Sequence, residues 1–117
     1  MADRELLEQA AKAAGLEWLA FNEEVERRMY VRELGVSGCA WFWDPLTDDG
    51  DALRLAVRLG IDIFGSVDAR FCEWGGGTTS EPCGNDPDAA QRRAIVRAAA
   101  EIGRAMPEKS ADPAAGG

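Results

Sequence analysis

Apolar and polar positions recur with two different periods along the chain, and each change of period predicts a change of secondary structure. Residues 3–14 show apolar side chains at helical spacing, with charged side chains on the opposite face. Asp3 is suited to cap this helix, and Gly15 is suited to end it because glycine readily adopts the left-handed conformation. Residues 16–21 and 27–34 are predicted to be strands joined by a turn at 22–24, which makes a hairpin.

The residues between Pro45 and Gly60 predict a second helix with an acidic N-terminus. Thr47 is suited to the N-cap position, and Gly60 to the left-handed position after the last turn. Six apolar residues cover more than half of the helix circumference, and only Arg54 and Arg58 form a polar stripe. Because a surface helix has a narrower apolar face, we expect this helix to be largely buried.

The second half of the chain is predicted to repeat the order of a hairpin and a helix. Residues 61–67 and 70–74 form the predicted hairpin. Residues 75–87 contain three consecutive glycines and are interpreted as a mobile surface loop; without a lysine, the loop lacks the pattern of a phosphate-binding site. Asp86 and Pro87 then suit the start of a helix that stops before Pro107.

The predicted element order is α-β-β-α-β-β-α, which places the chain in the α+β class. We expect an antiparallel sheet of two hairpins that is covered by helices, similar to an α/β/α sandwich. With 117 residues the chain is expected to form one domain over residues 1–106. The segment 107–117 is small, polar and rich in proline, glycine and alanine, so it is expected to be a flexible tail.

The composition argues against enzymatic chemistry. The chain contains no histidine, which excludes Ser-His-Asp and Cys-His mechanisms and removes the commonest metal ligand. Cys39, Cys72 and Cys83 show no metal-binding spacing and are interpreted as reduced thiols, although Cys72 and Cys83 could bridge in an oxidising compartment. We therefore expect no catalytic activity, no cofactor and no bound metal. A charged N-terminus and the absence of a long apolar run favour a cytoplasmic protein.

Acidic side chains dominate the first three quarters of the chain. Residues 1–86 carry 17 acidic and 8 basic side chains, and the net charge of the whole chain is −8. This balance disfavours direct binding to nucleic acid. Asp44, Asp48, Asp49 and Asp51 could chelate a cation, but their spacing does not match a calcium loop, and the interpretation is a cluster that caps the helix.

Two groups of residues are candidates for contact with a partner protein. Trp41 and Trp43 face the same side of an extended segment, where they either join the core or form an exposed binding anchor. Three of the four arginines in the last helix form a ridge that is either a solvated face, with Glu101 paired with Arg97, or a docking strip for an acidic partner. These arginines are Arg93, Arg97 and Arg104. Together with the four aspartates, these side chains are the partner-binding candidates, and self-association through the tryptophans would give a homodimer.

Two sequence blocks resemble a known family. DPLTDDGDALRLAVRLGIDI and the later RRAIVRAAAEIGRAM are similar to small uncharacterised proteins of tailed phages and prophages, related to the phage ABA-sandwich domain; LLEQAAKAAG near the N-terminus also fits. Relatives often carry Trp-Asn-Pro where this chain has Trp43-Asp44-Pro45. The resemblance implies a helix/sheet/helix sandwich and supplies no catalytic residues.

The sequence therefore predicts a small phage- or prophage-derived accessory protein that works by contact with a host or phage protein in the bacterial cytoplasm. The alternative is an acidic mimic of nucleic acid that inhibits a host defence or DNA- or RNA-binding complex, in the manner of an anti-CRISPR protein. The uneven charge motivates this alternative.

Overall fold

The computed structural model describes residues 3–22, 28–33 and 40–106, and within them the chain forms three helices and six strands. The helices are α1 (Asp3–Ala14), α2 (Asp49–Leu59) and α3 (Pro87–Ala105). The strands are β1 (Leu16–Asn22), β2 (Arg28–Glu33), β3 (Trp41–Trp43), β4 (Asp62–Gly65), β5 (Ala69–Trp74) and β6 (Gly77–Pro82). The predicted tail and the predicted turn at 23–24 lie outside the described residues.

The α+β class is confirmed, and the two predicted hairpins are present. They lie in two separate antiparallel sheets rather than in one, with strand orders β1-β2-β3 and β4-β5-β6. Each hairpin gains a third strand that the sequence did not predict, so the order is α-β-β-β-α-β-β-β-α. A third strand widens each sheet. A three-stranded sheet that packs against helices is stable, whereas an isolated two-stranded hairpin is only marginally so.

The interpretation of residues 75–87 as a mobile loop is wrong for most of that segment. Gly75 and Gly76 are the two turn residues of a hairpin, because Trp74 pairs with Gly77 at its end. Strand β6 follows, and its buried Thr79 donates a hydrogen bond from the hydroxyl to the carbonyl of Ala94 in α3, at 2.8 Å. Pairing with β5 and this bond to α3 hold the segment in place.

The expectation that α2 is largely buried is also wrong. Only one face of the helix, with Ala52, Leu55 and Ala56, lies in the core. Leu53 and Val57 are 56% and 72% exposed. The reason is that α2 packs mainly against α3 and, more lightly, against α1, and neither helix covers the side that carries Leu53 and Val57.

The core centres on the packing of α1 against α3, which also covers β5 and β6. Small side chains let these two helices approach closely: most of the buried residues of α3 are alanines, and Gly103 lies against the backbone of α1. A Cβ atom at Gly103 would overlap the backbone oxygen of Gln9. The small residues therefore set the distance between the two helices.

Cys72 and Cys83 are both buried and carry free thiols. Cys72 pairs with Thr79 in the sheet, whereas the backbone N–H of Cys83 donates to the carbonyl of Asp68. Positions 68 and 72 are roughly 13 Å apart along an extended strand, which is beyond the ~7 Å that a disulfide can span between Cα atoms. Cys39 lies outside the described residues.

Stability is expected to fall at high pH because of Cys72. Burial raises the pKa of the Cys72 thiol from 9.0 to about 11, although Gln91, Arg70 and Thr79 partly offset this effect. The unfolded chain therefore releases this proton first, so stability is unaffected below pH 9 and falls by up to about 2 kcal/mol as pH rises through the folded pKa. Denaturant unfolding of the native protein and of Cys72→Ala between pH 8 and 11 tests this, because the two profiles should converge at high pH. Parallel profiles would contradict it.

Candidate protein-binding surface around helix α2

A groove of about 470 Å³ lies between α2 and the first sheet, next to the end of α1. Its lining is mostly apolar and comes from four elements or their ends. The apolar residues that define this α2 groove are Leu16, Trp41, Trp43, Leu53, Leu55 and Val57. Arg54 and Arg58 also line it. The groove has the size and composition of binding clefts, which are mostly apolar with a few charged groups.

Strand β3 places the two tryptophans on one side of the sheet, as predicted, and gives them different environments. Trp41 pairs with the fully buried Val31, and Phe42 points to the opposite face. Trp43 is 5% exposed and belongs to the core, whereas Trp41 is 38% exposed. From the sequence, each tryptophan could be either a core residue or an exposed binding anchor. The structure assigns Trp43 to the core and Trp41 to the rim of the groove.

The exposed side of α2 connects the groove to a second depression. Leu53 lines the groove together with Trp41 and Val57, and it also lines a smaller cavity of about 200 Å³ together with Ile63 of β4. Exposed apolar side chains therefore continue from β3 across α2 to β4. We call these four residues, Trp41, Leu53, Val57 and Ile63, the apolar face. An apolar surface that is continuous across three elements is typical of interaction sites rather than of scattered exposed residues.

The aspartates before α2 form the cap of this helix. Asp48, rather than the predicted Thr47, is the N-cap, and its carboxylate accepts the backbone N–H of Asp51 at 2.7 Å. The Thr47 hydroxyl instead donates to the buried carboxylate of Asp44 at 2.8 Å. Asp51 in turn accepts the backbone N–H of Asp44 at 2.9 Å. The tight turn at Pro45 moves the cap one residue along, and the predicted capping role is confirmed for Asp48, whose carboxylate binds a backbone N–H of the first turn.

Arg92 of α3 holds this capped turn against the core. Its Nε donates to the carbonyl of Leu46 at 2.8 Å, and its Nη1 binds the carboxylate of Asp49 at 2.6 Å. This link could not be predicted from the sequence, because both partners are more than forty positions from Arg92 along the chain. Through it, α3 fixes where α2 begins and therefore how the apolar face is presented.

Carboxylates of the acidic turn are thus occupied by hydrogen bonds and ion pairs. Asp51 also binds Arg54 at 2.8 Å, in addition to its contact with Asp44. Within residues 3–22, 28–33 and 40–106, no three side chains of Asp, Glu, Cys or His converge so that they could hold a metal ion. The carboxylates of the turn therefore stabilise the start of α2.

The arginine ridge of α3 links neighbouring elements. Arg93 binds Asp3 of α1 at 2.9 Å, and Arg97 binds Glu81 of β6 and donates to the carbonyl of Ser80. Arg104 binds Glu101. The predicted pairing of Glu101 with Arg97 is therefore wrong, because β6 lies beside α3 and supplies the nearer carboxylate. These arginines bind residues of α1, β6 and α3, whereas Trp41 and Trp43 line the groove beside α2.

The fold and this surface define a small α+β protein that displays an apolar face on a capped helix. Comparison with known proteins adds no relative: no family model matches the chain, and no similar protein was found among curated proteins or solved structures. The resemblance to phage proteins therefore stays a prediction. Among the described helices, none has the length and apolar character that crossing a membrane requires.

Proposed function

We propose that this protein acts without catalysis, by binding another protein through the apolar face. The observation that carries the proposal is the pair Leu53 and Val57, which are spaced i, i+4 on α2 and are exposed beside Trp41 and an apolar groove. Leaving such residues in water forgoes about 25 cal/mol for each Å² that a partner could cover. Helices commonly dock with this spacing of anchors.

The sequence resemblance gives this proposal its biological setting. We propose that the protein is an accessory protein of a phage or prophage, and that its partner is a host or phage protein in the bacterial cytoplasm. The wide apolar arc of α2, which the resemblance singles out, is the part that carries the exposed anchors. The absence of histidine from the chain and the use of the turn aspartates in capping support a role without catalysis.

The alternative, a nucleic-acid mimic, has less support. A mimic presents carboxylates to solvent in place of phosphates, but several carboxylates here bind arginines of the same chain. These are Asp3, Asp49, Asp51, Glu81 and Glu101. Binding through the apolar face should weaken little as salt is raised, whereas binding by a mimic should weaken strongly. A salt titration of the captured complex separates the two.

Capture of the partner from the bacterial host tests the proposal with a matched pair of variants. Leu53→Asp places a charge in the apolar face, while Val67→Asp places the same charge on a residue that is 91% exposed and lies in the turn between β4 and β5. We expect native protein and Val67→Asp to retain the same partner, and Leu53→Asp to lose at least ~10-fold in recovery. Equal recovery by all three proteins, with equal melting temperatures, would refute the role of the apolar face.

A further inference from the structure

We infer that a second copy of this chain pairs with strand β4, antiparallel across a two-fold axis, so that the β4-β5-β6 sheets of the two copies join into one six-stranded sheet. The contact uses the side of β4 that faces away from β5, which we call the β4 edge. The inference goes beyond the proposed function, because it depends on backbone groups of β4 and not on the anchors Leu53 and Val57 of α2.

The backbone groups of Ile63 and Gly65 point away from β5 in the plane of the sheet. Ser66 donates its backbone N–H to the carbonyl of Ala69 at 2.9 Å, which makes these two residues a hydrogen-bonded pair beside the turn. Hydrogen-bonded pairs alternate along an antiparallel ladder, so Ile63 and Gly65 lie at the positions between them and face outward. In the part of the chain that the structure describes, no hydrogen bond reaches these outward groups. Such an edge accepts a further strand.

The opposite edge of the same sheet, formed by β6, is protected from such pairing. The carbonyl of Ser80 points away from β5 and accepts a hydrogen bond from Arg97 of α3 at 2.9 Å. Pro82, at the end of the strand, has no N–H to donate. Proline and a covering group are two of the ways in which natural proteins protect edge strands. Strand β4 contains no proline, and no side chain of the described residues binds its outward groups, so strand pairing selects the β4 edge.

The sequence of β4 fits its own copy in the register that is centred on Phe64. A two-fold axis through the sheet keeps each face on its own side, and the outward groups of one strand must meet those of the other. With Phe64 opposite Phe64, each Ile63 lies opposite Gly65 of the second copy, and the two pairs exchange four backbone hydrogen bonds in all. A pair centred on Ile63 would instead place Gly65 opposite Ile61, whose N–H already binds the carbonyl of Ala56.

The side chains that meet in this register are compatible. Phe64 is 47% exposed, and its ring stacks on that of Phe71 with 5.4 Å between the ring centroids. The two copies of Phe64 meet at a non-hydrogen-bonded pair, where side chains approach most closely, so four phenylalanine rings form a row across the joined sheet.

The same register keeps the carboxylates of β4 apart, which matters in a chain with a net charge of −8. Asp62 of each copy lies opposite Ser66 of the other. The two Asp62 residues are then roughly 13 Å apart along the strands, which exceeds the screening length of ~8 Å at physiological salt. The contact therefore buries aromatic surface without placing carboxylates opposite each other.

Sedimentation velocity over a concentration series tests the inference with a matched pair of proline variants. Ile63→Pro removes an outward N–H at the β4 edge, and Ser80→Pro removes one at the β6 edge; neither N–H pairs with β5. We expect native protein and Ser80→Pro to dimerise at roughly 100 µM, because small interfaces associate weakly, and Ile63→Pro to need at least ~10-fold more protein. A native protein that is monomeric at millimolar concentration, or equal dimerisation of the two proline variants, overturns the inference.

A second pair of variants leaves the backbone intact and tests the register. Phe64→Asp places two carboxylates opposite each other and should weaken dimerisation at least ~10-fold, whereas Phe64→Tyr keeps the ring and should dimerise as the native protein does. Melting temperatures show whether each variant is folded. Equal dimerisation of these two folded variants would contradict the register.

Hydrogen exchange of the native protein locates the contact directly. The amides of Ile63 and Gly65 should exchange at least ~10-fold more slowly in concentrated than in dilute protein, because pairing covers them only in the dimer. The amides of Thr78 and Ser80 at the β6 edge should exchange equally at both concentrations. Concentration-dependent protection at the β6 edge or on α2, and not at the β4 edge, would refute the arrangement.

The outcome for the proposed function is separate, because the two surfaces respond to different substitutions. Leu53→Asp should dimerise as the native protein does, while Phe64→Asp should still capture the partner that binds the apolar face. If Leu53→Asp abolishes the dimer and Phe64→Asp does not, the second copy binds at α2 and the β4 edge is excluded.

Discussion

Gly103→Ala is expected to lower the free energy of unfolding by about 2–3 kcal/mol, although alanine is the better helix former. The added Cβ would overlap the backbone oxygen of Gln9 and lie 2.9 Å from its carbonyl carbon. Backbone atoms of a packed helix cannot move aside as a flexible side chain can. The helices α1 and α3 must therefore separate, and the loss of their packing outweighs the gain in helix propensity. Urea unfolding measures the change.

A second glycine in a helix provides the control. At Gly50 in α2, a Cβ would meet the ends of the Arg54 and Asp48 side chains at 3.2 Å and no backbone atom at that distance. Gly50→Ala is therefore expected to leave stability unchanged or to raise it by up to about 1 kcal/mol. If the two variants changed stability equally, the close approach of α1 and α3 would not be the cause.

Trp43→Ala is expected to cost about 3–5 kcal/mol of stability, whereas Trp41→Ala is expected to cost about 1 kcal/mol. The two tryptophans lie two positions apart on the same short strand, and both pair with β2. They differ in burial, since Trp43 lies in the core and Trp41 lies at the rim of the α2 groove. Removing Trp43 leaves a cavity, while removing Trp41 mainly uncovers surface.

Denaturant unfolding of both variants, followed by circular dichroism, checks this difference. The comparison also guides the choice of variants for binding studies, because loss of binding by Trp43→Ala would not distinguish contact from unfolding. Equal losses of stability would contradict the assignment of Trp41 to the rim of the α2 groove.

The parts of the fold that the sequence predicted well depend on local chemistry. Gly60 ends α2 with φ at 68°, and Asp86 caps α3 ahead of Pro87. In both cases a residue type has one strong backbone preference, and no distant contact competes with it. The hairpin of β4 and β5 was also predicted, from two short apolar runs that are close together in the chain.

The parts that the sequence could not predict depend on which elements become neighbours. The burial of α2 was overestimated because a wide apolar arc shows that a helix could be covered on several sides, and only packing decides how many sides are covered. The same arc contained the signal for the site: Leu53 and Val57 are adjacent to the polar stripe of Arg54 and Arg58, and apolar residues beside a polar stripe are the first to be exposed when one neighbour is absent.

Ion pairs and short strands were missed for a similar reason. Arg97 could have bound a carboxylate one turn away, but the arrival of β6 brought Glu81 closer. Strand β3 has only three residues, too few for an alternating pattern to be recognised, and β6 begins with glycine and contains threonine and serine, which are also common in loops. In both segments, pairing with a neighbouring strand stabilises the strand conformation, and the local sequence does not reveal that pairing.

The packing of α1 against α3 has a consequence for how the chain folds during translation. Asp3 meets Arg93 across a separation of 90 residues, and Lys12 meets the carbonyl of Met106 across 94. The apolar side of α1 thus leaves the ribosome long before its docking site exists, and it stays uncovered until α3 has been synthesised. Native assembly is therefore a late event for this chain, and the interval before it is when the nascent polypeptide is most prone to misassociate.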